Sequence, residues 1–385
     1  MNKLRIGVLF GGLSAEHEVS IKSAISIIKN LNTDKYIIIP IYINTKSEWN
    51  YIDLTLLINN LDPLSLGDHI IQCIDQIKIQ ESSSNGYIKP INLSKINQLV
   101  DVLFPIIHGK TGEDGIVQGF FELVDIPYIS SNILSSSVTM DKEFTKIILK
   151  ENDTLIAPYI SIKEYQYSNQ KMINEFVQVI KSNFSLPVFI KPANGGSSIG
   201  IEKLNTFENL LDSIKNAFKY DNKVLVEQGI LGKEIEISVL ENIDDYDQPI
   251  VSYPGELIPN DEFYSYKAKY IMKDGAEFKI PATLDDSITS VIRKKAGEIF
   301  KALGCNCLAR VDFFIENKTN KLFFNEINTL PGFTEISLYP KLLDHYGIKY
   351  KDLLDKLIAL SLKKHNLNMI KNKNSIDILS SIKLD

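Results

Sequence analysis

Cysteine is scarce in this chain of 385 residues: three, at Cys73, Cys305 and Cys307, an odd number with no paired spacing. That excludes a disulfide framework and a zinc-ligand spacing, and points to a reducing compartment. Cys305 and Cys307 sit beside an apolar run and are expected as buried thiols that fill space. An excess of positive charge is also missing. The 42 Lys and Arg stand against 48 Asp and Glu, for a net charge of −6, so the basic footprint of a nucleic-acid binder is lacking and no nucleic-acid partner is expected. Nor is there a long hydrophobic run. The opening MNKLRIGVLF leads straight into Gly11-Gly12, without the longer apolar region and cleavage site of a signal peptide, and nothing elsewhere is long enough to span a membrane. A cytoplasmic protein with no membrane partner is the expectation. Hydrophobic residues at 44% and charged ones at 23% are ordinary for globular proteins, and the length exceeds one core, so two or three domains are expected.

What is present begins with a short hydrophobic strand at residues 4–10, followed by GGLSAEHEVS at 11–20 and a helical pattern at 21–31. Strand, glycine turn and helix is how a doubly wound sheet starts, with backbone N–H groups facing an anionic ligand. Ser14 and Ser20 can equally be plain helix caps. A second strand is expected at 37–43, then an irregular polar excursion at 45–94 with hairpins and a short helix. Another buried strand at 100–107 ends in HGKTGEDG at 108–115 and a helix over 116–123. Two glycine-bounded turns then meet at one sheet edge, where ligands bind. His108 in the second turn is either a satisfied loop histidine or a ligand-facing one.

Met140-Asp141-Lys142 opens a helix that reaches Glu151. Residues 188–191 form a strand that runs into PANGGSSIG, a small-residue loop suited to closing over phosphates with Lys191 at its root. It is not a P-loop, because GxxxxGK[ST] is absent and no helix follows at once; alone it could also be a mobile hairpin tip. Residues 224–227 end a strand in VEQ, and 233–240 alternate as a half-exposed strand. FYSYKAKY at 263–270, between Pro259 and Pro281, interleaves aromatic and basic residues as a compact functional loop does. A helix at 288–303 leads to ARVDFFIENKTNKLFFNEINTLPG at 309–332, two apolar strands at 308–315 and 322–327 joined by a polar turn. Arg310 and Asp312, two apart, leave the same face of the first strand; Glu326 and Asn328 stand at the end of the second. Three hard oxygen donors and a guanidinium at one spot suit Mg²⁺ with nucleotide phosphates. The alternative is a solvated hairpin with a surface Arg–Asp pair. A closing helix is expected at 350–364, with a frayed tail after His365.

Set in order, GGLSAEHEVS, HGKTGEDGIVQG, MDK, KPANGGSSIG, VEQGILGKE, FYSYKAKY, ARVDFF and NEINTLPGFTEISLYP resemble the ATP-grasp carboxylate–amine ligases, and within them the D-alanine:D-alanine ligases, over roughly residues 4–362. The fold the resemblance implies is α/β: an N-terminal doubly wound parallel-sheet (pre-ATP-grasp) domain, then a two-part ATP-grasp fold with mixed and antiparallel sheets. Its divisions would be a Rossmann-like substrate-binding domain at 1–130, a central subdomain at 131–227, a C-terminal catalytic subdomain at 228–365 and a tail at 366–385. The implied reaction joins two D-alanines through a D-alanyl phosphate, with release of ADP and phosphate, for peptidoglycan precursor synthesis. The implied cofactors and partners are ATP, two Mg²⁺ with Mn²⁺ as a substitute, D-alanine, and a second copy in a homodimer.

Residue by residue, the resemblance makes Lys142 and Lys191 phosphate-contacting lysines and has Glu227 and Glu234 hold adenine and ribose. Ser198, Asn325 and Lys269 join the ATP site, with Lys269 reaching the transferred phosphoryl. Asp312, Glu326 and Asn328 would ligate two metal ions, Glu326 bridging. Glu16 would receive the amino group of the first D-alanine, in a hydrogen-bonded trio with Ser197 and Tyr270. His108 joins the substrate site, Ser337 and Leu338 line the place of the second D-alanine, and Arg310 with the N–H of Gly332 would stabilise the oxyanion. Gly195 stands where many relatives carry a larger or charged residue, and the 45–94 excursion is longer than in the shortest relatives. In relatives that make an ester with D-lactate, a histidine often replaces the loop tyrosine; here Tyr270 is kept and FYSYKAKY has no histidine. An amine is therefore expected as second nucleophile, with D-lactate and D-serine ligases as alternatives, and a non-catalytic nucleotide-binding protein on the same fold as the alternative from another class.

Overall fold

A computed structural model describes residues 3–53, 68, 70–72, 74, 88–259, 276–334 and 336–381. The first sheet holds β1 (Leu4–Gly11), β2 (Tyr36–Ile43), β3 (Trp49–Ile52), β4 (Ile88–Pro90) and β5 (Val102–Pro105), in the order β4-β3-β2-β1-β5. β1 pairs parallel with β2 and with β5, as suits apolar strands buried on both faces. β3 and β4, inside the irregular excursion, extend the sheet antiparallel. Only glycine serves at the turn after β1: Gly11 has φ 92°, and a Cβ there would meet the Ile43 carbonyl oxygen at 2.2 Å. Ser20 is a bridge here rather than a cap. Its hydroxyl accepts from the Gly11 N–H (2.8 Å) and donates to the Ile106 carbonyl (2.5 Å), pinning the two ligand-facing turns together.

The second sheet, in the order β6-β9-β7-β8, is antiparallel throughout: β6 (Tyr159–Lys163), β7 (Val188–Pro192), β8 (Glu202–Leu204) and β9 (Lys223–Gln228). The helices Gln170–Asn183 and Leu210–Ala217 cover it, and Ile162, Ile180, Val188, Ile190, Ile214 and Val226 close a core of its own.

The third sheet holds β10 (Gly232–Leu240), β11 (Ile250–Val251), β12 (Gly255–Pro259), β13 (Ala276–Lys279), β14 (Leu308–Glu316) and β15 (Leu322–Asn328), in the order β13-β12-β10-β14-β15 with β11 on β10. Strand alternation separates its two faces. Ile235, Ile237, Val311 and Phe313 pack with Ile292, Ala296 and Phe300 of the helix Asp286–Ala302. The other face carries Glu236 opposite Asp312, Asp312 opposite Glu326, and Arg310 opposite Asn328. Beyond Asp312 the register shifts by one, from Asp312–Glu326 to Phe313–Phe324, which leaves Asn325 as the extra residue of a bulge.

The helices Leu338–Tyr346 and Tyr350–Ser381 return to the first sheet, so Ile6, Val8 and Phe104 share one core with Tyr339, Leu343, Leu353 and Leu357. The last helix is longer than the sequence reading of 350–364, and no frayed tail begins at His365. Residues 350–381 hold neither Gly nor Pro to stop a helix, and their Asn, Lys and Ser residues tolerate one.

Candidate active site

The hairpin β14–β15 forms one wall of a cavity of about 450 Å³. Arg310 donates from Nε to Asp312 Oδ1 (2.8 Å) and from Nη2 to Asp312 Oδ2 (2.7 Å), and its Nε lies 2.9 Å from Glu236 Oε2. The pair is buried, not the surface pair that sequence left open: Asp312 is 2% exposed. Burial disfavours the guanidinium charge, but Asp312 and Glu236 outweigh it and raise the Arg310 pKa further. Glu326 and Asn328 line the cavity beside them. Asn328 Oδ1 is buried with no hydrogen-bond donor. Three carboxylates, Glu236, Asp312 and Glu326, crowd one guanidinium, so an oxygen-seeking divalent cation fits the donor set and the charge. Among the described residues no cluster of three His, Cys, Asp or Glu converges on a metal position; of the expected ligands Asp312, Glu326 and Asn328, one is an amide.

Glu16, His108 and Ser197 line the same cavity. Ser197 donates a hydrogen bond to Glu16 Oε1, joining the 193–200 loop of the second sheet to the first turn of the chain. Ser197 and Ser198 hold φ of 51° and 59°, strained for residues with a side chain. His108 Nδ1 is 3.2 Å from the Leu330 carbonyl oxygen and 3.6 Å from Glu113, and Nε2 is 3.3 Å from Ser23 Oγ. Burial opposes its charged form, yet the neighbouring Glu113 and Glu16 carboxylates prevail and its pKa is raised. Burial also raises Glu113. Gly332, Ser337 and Leu338 complete this part of the lining. Ser337 precedes the helix Leu338–Tyr346, and its Oγ accepts from the Thr334 N–H at 3.0 Å. A Cβ on Gly332 would come within 2.8 Å of that oxygen, so glycine is what lets the turn close.

Lys142, also in the lining, donates from Nζ to the Gly195 carbonyl (2.5 Å), while its backbone N–H donates to Ala193 (3.1 Å). Lys191 Nζ donates to Glu227 Oε2 at 2.6 Å. Lys191, Ser198, Glu227, Glu234 and Asn325 lie outside the lining of this cavity. Ser198 is half-buried at the loop tip, Glu234 half-buried on β10 and Asn325 at the bulge. Lys269 and Tyr270 lie outside the described residues, so the expected trio is seen only as Ser197 with Glu16.

The family model described as "D-ala D-ala ligase N-terminus" matches residues 5–131, and "D-ala D-ala ligase C-terminus" matches residues 148–359. The chain belongs to the D-alanine–D-alanine ligase family. A curated D-alanine–D-alanine ligase of Caldicellulosiruptor bescii is 44% identical over 95% of this chain and 97% of its own length. The solved D-alanine–D-alanine ligase of Coxiella burnetii matches with a TM-score of 0.80 at 30% identity, covering 99% of this chain and all of that one. The VanG D-Ala:D-Ser ligase of Enterococcus faecalis matches with a TM-score of 0.78 at 33% identity, covering 94% of this chain and all of that one. These D-alanine–D-alanine ligase neighbours carry the ATP-grasp fold, in accord with the mixed α/β sheets here.

Against this ligase family the sequence reading missed four charged residues, Glu236 and Glu113 in the cavity lining and Lys146 and Lys223 outside it. Glu236 could have been found, since it shares a strand face with Glu234 and sits opposite Asp312. Lys146 follows Lys142 by one helical turn and is fully buried beside Glu227. Glu113 belongs to the HGKTGEDG motif but carries no signal of its contact with His108. Lys223 pairs with Asp141 (2.6 Å) and Glu143 (2.9 Å), from distant parts of the chain.

Proposed function

We propose that the chain is an ATP-dependent ligase that joins two molecules of D-alanine and releases ADP and phosphate. The observation that carries this reading is the gathering, around one cavity, of Arg310 with Glu326 and Asn328, of Glu16 with Ser197, and of Lys142. A carboxylate is a poor electrophile. Moving the γ-phosphoryl of ATP onto a carboxylate oxygen of the first D-alanine breaks the bond to ADP and gives an acyl phosphate. The amine of the second D-alanine then attacks the acyl carbon, and phosphate leaves from the tetrahedral oxyanion. Glu16 is suited to the ammonium of the first D-alanine, and Lys142 and Lys191 to the phosphates. Arg310, with the N–H of Gly332, is suited to the oxyanion, a role worth about 3 kcal/mol. His108 belongs to the substrate site, where Ser337 and Leu338 bound the place of the second D-alanine. The hydrogen bond from Ser197 to Glu16 holds the loop against the site, which excludes water from a hydrolysable intermediate.

The family's ligases are ATP-dependent and generally need a divalent metal. Asp312, Glu326 and Asn328 would hold it, as two Mg²⁺ or Mn²⁺ ions, and when bound it neutralises and orients the phosphates. Glu227, Glu234, Ser198, Asn325, Lys269 and Tyr270 complete the proposed nucleotide and closure groups. The same reading divides the chain after residues 130, 227 and 365. It also makes the protein a cytoplasmic homodimer that feeds peptidoglycan synthesis; no helix among the described residues is long and apolar enough to cross a membrane.

ADP release measured with purified protein, Mg²⁺ and D-alanine tests the reading. Turnover that needs both, with D-alanyl-D-alanine as product, is expected; ADP release indifferent to D-alanine rules the ligase out. Competition with D-serine and D-lactate decides the second substrate. The match to a D-Ala:D-Ser ligase makes D-serine the second reading, and a predominantly mixed product would replace D-alanine with it.

A further inference from the structure

We propose that Lys146 is a positioning residue of the nucleotide pocket: it is the permanent counter-cation of Glu227, holding that carboxylate in place when Lys191 turns from it toward a bound triphosphate. The inference rests on the nucleotide reading of this pocket. Lys146 is 1% exposed on the helix Lys142–Glu151, and a lysine that deep is almost always there for a partner. Its Nζ lies 3.1 Å from Glu227 Oε1, while Lys191 holds Glu227 Oε2 at 2.6 Å. Two ammonium groups on one carboxylate exceed what neutrality needs. They differ in freedom: the Lys191 side chain is 13% exposed and that of Lys146 is 2%. Lys191 also stands at the root of the 193–200 loop, so it is the cation able to leave.

A second observation concerns the pair itself. Lys146 Nζ and Glu227 Oε1 are both fully buried and lie 3.1 Å apart, with no further hydrogen-bond partner for either atom. Lys146 thus answers the Oε1 side of the Glu227 carboxylate while Lys191 answers the Oε2 side. The charged and titratable groups around Glu227 are Lys146 and Lys142 from the helix, Lys191 from β7 and Tyr159 from β6. Burial alone would push the Glu227 carboxyl up, and Lys146 and then Lys191 bring it down to about 2. If Lys142 and Lys191 turn to phosphate, Lys146 is the lysine left to oppose burial.

The test measures binding of a non-hydrolysable ATP analogue with Mg²⁺ to the full chain by calorimetry from pH 5.5 to 8.5. The unmodified protein should bind with little pH dependence over this range. Lys146→Met should weaken binding about tenfold at pH 7 and should bind more weakly as pH falls, because Glu227 then titrates in the measured range; Lys146→Arg should restore the flat profile. The KM for ATP should rise more than kcat falls, with the KM for D-alanine unchanged. A flat profile in folded Lys146→Met overturns the proposal. The double variant Lys146→Met/Glu227→Gln removes both charges, which folds tolerate better than removing one. It should bind as Glu227→Gln does, and a further tenfold loss shows that Lys146 acts other than through Glu227. D-alanine-dependent ADP release by the unmodified chain reports the ligase reading separately.

Discussion

The first sheet shares a core with the C-terminal helices and with Leu240 and Leu308 at the ends of β10 and β14, whereas the second sheet closes its own. Ile6, Val8 and Phe104 pack against Phe333, Tyr339, Leu343 and Leu353, which come from the far end of the chain. The core of the second sheet, around Ile162, Ile190 and Val226, draws only on residues 160–226 and their flanks. Its ties to the rest include polar ones: Lys142 to Ala193 and Gly195, Lys223 to Asp141, Lys110 to Tyr220, and Ser197 to Glu16. One block thus holds Glu16 fixed relative to Arg310, and the other carries Lys191, Ser197 and Glu227. Under the proposed function, substrate geometry would belong to the first block and nucleotide closure to the separate one.

The largest effect expected is at the heart of the first block. Arg310→Met should lower kcat by about 10³-fold. It also leaves Asp312 and Glu236 without their buried counter-cation, at a cost of about 3–5 kcal/mol. Chemical denaturation and ADP-release kinetics read the two effects, and a variant with near-normal kcat removes Arg310 from the proposed oxyanion site. Next come two core truncations, each costing about 2–5 kcal/mol. Leu354→Ala should loosen the first and third sheets together, whereas Ile190→Ala should speed hydrogen exchange mainly in residues 159–228. Equal loosening of β1 and β14 by Ile190→Ala would show that the blocks unfold as one.

Acid should act on the separate block as well. The Glu227 pKa is depressed from 4.5 to about 2, with burial opposing and Lys146 and Lys191 prevailing. A depressed carboxyl contributes stability fully above 4.5 and loses it as pH falls toward 2. Glu227→Gln should flatten that part of the acid-unfolding curve, and an unchanged slope would deny the ion pair its role. Ser197→Ala should raise the KM for D-alanine about tenfold, as loss of a hydrogen bond to a charged group does, with the thermal midpoint nearly unchanged. Lys110→Ala, at an exposed contact with the Tyr220 carbonyl, should alter stability by less than about 0.5 kcal/mol.

Much of the fold was legible because local pattern and tertiary demand agree. The helix Ile116–Leu123 follows its glycine turn where the sequence puts it, and the β14–β15 hairpin keeps its two apolar strands. Arg310 and Asp312 were readable as a pair because a strand fixes residues two apart on one face. The helix Leu338–Tyr346 escaped notice, since its apolar residues answer to β1 and β5, over 200 positions away. Lys146 escaped too: a lysine in an amphipathic helix reads as solvated until the sheet that buries it is known.

By itself the sequence determined the strand-and-turn order, the residues that share each strand face, and the motifs that mark the ligase family. Those properties are local, set by backbone geometry and by spacings of two and of three or four residues. Tertiary structure decided which charges are buried and who answers them: Glu236 for Arg310, Lys146 for Glu227, Glu113 for His108. The physical reason is that burial removes water, and once water is gone a charge depends on whichever partner the packing brings to it, however far away in the chain.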